Sequence, residues 1–152
     1  MKKIEAEYVD EYQPSIRGKK QTLEWFEIPT EFFGKLLEEA DARKLENKLE
    51  ALEWKLKHFG IVPIHLRYLG CIGFRFCDYN GSFLECFDDC NVVRIEVAGD
   101  AREELKSFFC NFFNDAFPEH RLVFKKRKKE SLHGIRQKLT LASSRIKHLL
   151  KM

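Results

Sequence analysis

The stretch CIGFRFCDYNGSFLECFDDCNVVRIEVA, residues 71–98, decides the fold. Asn80-Gly81 lies near its centre, and both residues tolerate positive φ, so the pair marks a hairpin between a strand over 71–78 and one over 82–87. A third strand is expected over 91–98. Strand parity turns Ile72, Phe74 and Phe76 to one face with Val93, Ile95 and Val97, and turns Arg75, Arg94 and Glu96 to the other. Upstream, 62–69 reads as a fourth strand, with Ile64, Leu66 and Tyr68 inward and His65 and Arg67 outward. Downstream, Gly99-Asp100 followed by Glu103 reads as a capping box that opens a helix over 101–117. Pro118 stops it. Its stripe is Leu105, Phe108, Phe109, Phe112, Phe113 and Ala116. Large apolar stripes of matched length bury each other, so this helix is expected on Leu66, Phe74, Phe76 and Ile95.

Further out, Ile4, Ala6 and Tyr8 alternate with Glu5 and Glu7, as in a half-exposed strand. Pro14 and Gly18 bracket a loop, 21–28 reads as another strand, and Thr30 stands where a helix N-cap belongs. A long helical pattern over roughly 30–59 ends at Gly60. Its first stripe is Phe33, Leu36, Leu37 and Ala40. Its second, from Ala42 to Phe59 in 3-4-3-4-3 steps, is rotated by about 120° at 100° per residue, which predicts a break near Ala40-Asp41. After a last strand over 120–126, Ser131 opens an amphipathic C-terminal helix. The order ββα-ββββ-αβα has no βαβ unit. It predicts one α+β domain over 1–152, with a mainly antiparallel sheet and helices packed on one face.

Composition narrows the class. Hydrophobic residues are 44% of the 152, and 14 are Phe, enough to build a core and to exclude a disordered chain. No apolar run reaches the roughly 18 residues of a membrane span, and the start turns acidic at Glu5 before any apolar stretch, so no leader peptide and a cytoplasmic protein are expected. Five cysteines, an odd number, argue against a disulfide framework. Cys86 and Cys90 have three residues between them and no second Cys or His pair follows at finger spacing, so no metal site is expected.

Charge is segregated. Residues 121–152 hold eleven Lys and Arg and one acid, Glu130, a net of +10, and the preceding 120 residues carry −7. The run Lys125-Lys126-Arg127-Lys128-Lys129 collects five mutually repelling cations, which phosphate backbone rewards through counterion release. Leu132, Ile135, Leu139, Ala142, Ile146 and Leu149 then step 3-4-3-4-3, flanked by Arg136, Lys138 and Arg145. The nucleic-acid-binding candidates are therefore Lys125, Lys126, Arg127, Lys128, Lys129 and Arg136. The simplest alternative folds this segment onto the acidic body. The same heptad over 42–59 allows the two helices to pack together or to form a homodimer.

A second candidate is an anion site made by Arg67, Arg75 and Arg94, one per strand, since Arg suits phosphate or carboxylate capture. Pairing with Glu96 is the competing role for these side chains. Enzyme motifs are poor: there is no glycine-rich phosphate loop, and His120, His133 and His148 lack an acid nearby in sequence. Glu5-Ala6-Glu7 resembles, over three residues, the start of the Glu-x-Glu-x-Lys strand of triphosphate-tunnel (CYTH) enzymes. Val9 stands where that pattern has lysine, and no family follows from it. The leading expectation is a non-enzymatic module, without cofactor, whose basic segment contacts nucleic acid or another polyanion such as an acidic protein surface. The alternative is a protein-binding module (inhibitor, immunity or adaptor protein) acting through its acidic body or heptad helices. An enzyme acting on a phosphorylated small molecule is third.

Overall fold

The computed structural model describes residues 1–16, 18–41, 62–68, 71–78 and 80–126, with 62–68 described by backbone pairing. The chain is α+β. Its strands are β1 (Lys2–Tyr12), β2 (Ser15–Ile16), β3 (Lys19–Lys20), β4 (Leu23–Ile28), β5 (Val62–Tyr68), β6 (Cys71–Cys77), β7 (Phe83–Asp89), β8 (Val92–Ala98) and β9 (His120–Phe124). Among the described residues the α-helices are α1 (Phe33–Glu39) and α2 (Arg102–Ala116). Seven strands form one sheet in the order β5-β6-β7-β8-β4-β1-β9, and β2 and β3 form a separate small hairpin. Every neighbour pair in the large sheet is antiparallel except β1 and β9, which run parallel.

Alternation explains the core. Phe74, Cys86, Ile95, Phe26 and Tyr8 succeed one another across β6, β7, β8, β4 and β1 in direct register, so they share one face. That face is covered by α2. The Phe74 ring lies 5.6 Å from Phe112 and 6.3 Å from Phe109, and Phe76 lies 5.4 Å from Phe112. Phe26, Phe74, Phe76, Phe109 and Phe113 are all fully buried. The expected packing of this helix on Phe74, Phe76 and Ile95 is therefore present. Ile72, expected inward with them, is 41% exposed. α1 joins through the Thr30–Phe32 turn, where Phe32 meets Phe113 and Phe117 edge-on.

Several local expectations change. α1 ends at Glu39, consistent with a break near Ala40, but its continuation over 42–59 and the C-terminal helix lie outside the described residues. Thr30 lies in a 3-10 turn and caps no helix through its side chain. Asp100 and Glu103 make no capping box. Instead, the Ala101 N–H at the helix start donates to Ser82 Oγ, 3.1 Å away on the loop before β7. Gly99 permits that approach: its φ is +98°, and a Cβ there would collide with Ser82. Among the described residues of the turn after β6, only Gly81 has positive φ. Asp78 Oδ1 closes it by accepting the N–H groups of Asn80 and Ser82. Between β7 and β8 Cys90 takes φ +60°, a turn with no glycine to signal it.

β5 corrects the sequence reading most. It pairs Leu66 with Gly73 and Arg67 with Ile72, so its register is one residue out of phase with an arrangement that groups Leu66 with Phe74. Pairing sets a strand's phase, and a one-residue slip exchanges its faces. Gly73 is sterically required at this crossing, because a Cβ there would strike the backbone and Cβ of Phe87 and the Cys86 carbonyl.

Candidate functional site

The sheet face opposite α2 carries the charged candidates. Arg75 on β6 opposes Glu85 on β7, Glu85 opposes Glu96 on β8, and Glu96 opposes Trp25 on β4. Arg75 donates through Nε and a terminal nitrogen to Glu85 Oε1 at 3.1 and 2.8 Å, and its guanidinium lies 4.6 Å over the Phe83 ring. Arg94 sits two residues before Glu96 on the same strand and meets it at 2.7 Å, with Asp89 3.8 Å away. The Arg94 guanidinium also stacks 3.6 Å over Trp25.

The electrostatics follow from burial. Glu85 is 4% exposed, and a charge at that depth is tolerated when paired and hydrogen-bonded. Glu96 faces Glu85, a like-charge opposition. Burial pushes the Glu96 carboxyl up, Arg94 pulls it down, and Glu85 adds to the rise. Arg94 Nε and Trp25 Nε1 are both buried and make no hydrogen bond. Of the expected arginine trio, then, Arg75 and Arg94 do share a face. Each already holds a carboxylate and an aromatic ring. Arg67 pairs in register with Ile72, outside the row of Arg75. A phosphate entering here would have to displace Glu85 or Glu96. Glu85 and Trp25 complete the cluster, and the sequence reading missed both.

The basic segment begins at the edge of the same sheet. β9 lies outermost beside β1, and Lys125 N–H still bonds to Ala6 O at 2.9 Å, so strand pairing holds as far as the first residue of the cationic run. Arg121, Lys125 and Lys126 are exposed, as are Lys2 and Lys3 on β1. Lys3 and Arg121 are register partners and, with Met1 and Val123, line a cavity of about 420 Å³. Arg127, Lys128, Lys129 and Arg136 lie outside the described residues. The free side of β9 is partly closed, because Leu122 N–H donates to Asn114 Oδ1 from α2 at 3.1 Å.

A second cleft, about 600 Å³, opens at the start of α2. Lys19, Lys20 and Arg102 balance Asp78, Asp100 and Glu104 around it, and Arg102 is bound to Glu24 and to Gly99 O at 2.8 Å each. It has no net charge with which to hold an anion. All five cysteines are unbridged. Burial raises the thiol pKa of Cys86 and pushes Cys110 up to about 11 against the pull of Arg121, and partial burial followed by Asp88, Asp89 and Cys90 raises Cys71. Among the described residues, no group of three or more His, Cys, Asp or Glu is placed to hold a metal, and no helix is long and apolar enough to cross a membrane.

Comparison with protein-family models, with curated proteins and with solved structures gives no match to this chain.

Proposed function

We propose that the protein is a small, non-catalytic, cytoplasmic binding module whose basic C-terminal segment contacts a polyanion, with nucleic acid as the partner. One observation carries this reading. β9 delivers Lys125 and Lys126, both exposed, at the sheet edge, where a run of five adjacent cations begins. The arginines that would serve a small anion, Arg75 and Arg94, are already bound to carboxylates, which favours the segment that the exposed Lys125 and Lys126 open. Five unbridged thiols suit a reducing compartment.

The run 125–129 contains no aromatic side chain, so base stacking is not its mode of contact. Lys and Arg there meet phosphates, which position a nucleic acid without reading its sequence. Binding should be sequence-tolerant, with log K falling against log salt by about 0.9 per phosphate neutralised on duplex DNA. The net −7 of residues 1–120 opposes tight binding.

The test is an electrophoretic shift on duplex DNA and on RNA at low salt. Replacing Lys125, Lys126, Lys128 and Lys129 by Ala should weaken binding equally across sequences and flatten the salt slope. If neither polymer is retained at protein concentrations above about 10⁻⁴ M, the upper end of non-specific affinities, the reading is wrong. The acidic body, facing a basic protein, then becomes the site.

A further inference from the structure

We propose that the chain's own C-terminal segment, residues 131–150, docks on the sheet face opposite α2, over Trp25, Glu85, Arg94 and Glu96. On that face β7, β8 and β4 present Glu85, Asp89, Glu96 and Glu27, and among the described residues Arg94 and the neighbouring Arg75 pair with Glu85, Asp89 and Glu96. Yet the face is not a wet one. Glu85 is 4% exposed and Phe87 7%, while α1 and α2 both pack on the other side. Trp25 Nε1 and Arg94 Nε are sealed from solvent without an acceptor. This is an acidic, partly aromatic surface that calls for a cationic, amphipathic cover.

The segment 131–150 has that chemistry. Its apolar stripe, Leu132 to Leu149, suits Trp25, Phe83 and Phe87, and its flanking Arg136, Lys138 and Arg145 suit the acids. Reach agrees as well. The segment follows β9 at the edge of the same sheet. The twenty-residue helix that the stripe predicts would span about 30 Å, and seven strands at about 4.8 Å spacing make a sheet about 29 Å wide. A polyanion would compete with this face for the basic segment; that consequence rests on the nucleic-acid reading, whereas the docking itself does not.

Zero-length carbodiimide coupling of the full chain, followed by peptide mapping of the monomer, tests the docking. Amide crosslinks from Glu27 or Asp89 to Lys138 or Lys147 are expected, and Leu139→Asp with Ile146→Asp should abolish them. The same pair of substitutions, in a Trp54→Phe background that leaves Trp25 as the only tryptophan, should shift Trp25 emission to the red. Circular dichroism confirms that each variant is folded. Crosslinks confined to a dimer band would assign the face to a second copy and overturn the proposal. So would a Trp25 emission unchanged by the substitutions. Failure of the nucleic-acid reading appears separately, as no gel shift, and leaves the crosslinks in place.

Discussion

On the α2 side of the sheet, Phe26, Phe74, Phe76, Phe109, Phe112 and Phe113 form a buried aromatic core, and its charge is confined to Glu24, held by Arg102 and Lys106 of α2, with Lys106 Nζ 5.1 Å over the Phe26 ring. On the other side, Arg75, Glu85, Arg94 and Glu96 sit among Trp25, Phe83 and Phe87. Both surfaces are largely dry, but for different reasons. The aromatic face is stable through area and volume, which any well-packed set of apolar side chains can supply. The charged face depends on each carboxylate keeping its guanidinium, so its stability belongs to pairs. Damage to the first should therefore scale with lost volume, and damage to the second with broken pairing.

The largest effect should come from the aromatic face. Phe112 is 4% exposed and touches Phe74, Phe76 and Phe109. Phe112→Ala should cost about 3–5 kcal/mol, read as a fall in the urea midpoint at constant slope. A loss below about 1 kcal/mol would mean that α2 is not the lid of this core.

Breaking the Arg75–Glu85 pair should cost less. The Arg75 side chain is 31% exposed, so water partly compensates. Arg75→Met leaves Glu85 buried without its donor and should cost about 1–3 kcal/mol. Adding Glu85→Leu removes the stranded charge, so the double variant should be more stable than Arg75→Met alone. Additive losses in a double-mutant cycle would show that the pair contributes nothing as a pair.

The sequence made the two faces unequally legible. Alternation in 71–77 and 92–98 and the helical stripe of α2 locate the aromatic core, because each signal is local and volume decides the outcome. The charged face is decided by pairing across strands. Nothing local to Glu85 marks it until β6 places Arg75 opposite it, and Arg67 belongs with Arg75 until the β5 register sets it against Ile72. The cap of α2 fails for the same reason. Asp100 and Glu103 have the local pattern, but Ser82, 19 residues before Ala101, does the capping. The parallel pairing of β1 with β9, which brings the basic run to the sheet edge, joins the two ends of the described chain and leaves no trace in either strand alone.

Glu96 offers a finer contrast. Its carboxyl pKa is raised in the folded protein, chiefly by burial. For an acid the folded state then binds the proton more tightly than the unfolded one. Its contribution is most favourable below the ordinary carboxylate range and is lost as pH rises through the raised value. Glu96→Gln removes this term. The stability difference, variant minus wild type, should therefore grow as pH is raised from about 4 to 7. A difference that stays flat over that range would show that Arg94 fully offsets the burial.

The smallest perturbation, alkylation of single thiols, reports on both faces without altering a contact in advance. Cys86 lies on the aromatic face under α2 and is fully buried, with its thiol pKa raised by that burial. Cys71 and Cys77 lie on β6 with the parity of Arg75 and are half-buried, and Cys90 stands exposed in the β7–β8 turn. Cys110 is pushed up to about 11, so almost none of it is thiolate at pH 8. With iodoacetamide under native conditions, Cys90 should label first, Cys77 later, and Cys86 only at the rate of global unfolding; five thiols should react once the chain is denatured. Mass spectrometry of the digested protein gives the order. Labelling of Cys86 ahead of Cys77 would reverse the assignment of the dry, volume-packed face and the pair-held face to their two sides of the sheet.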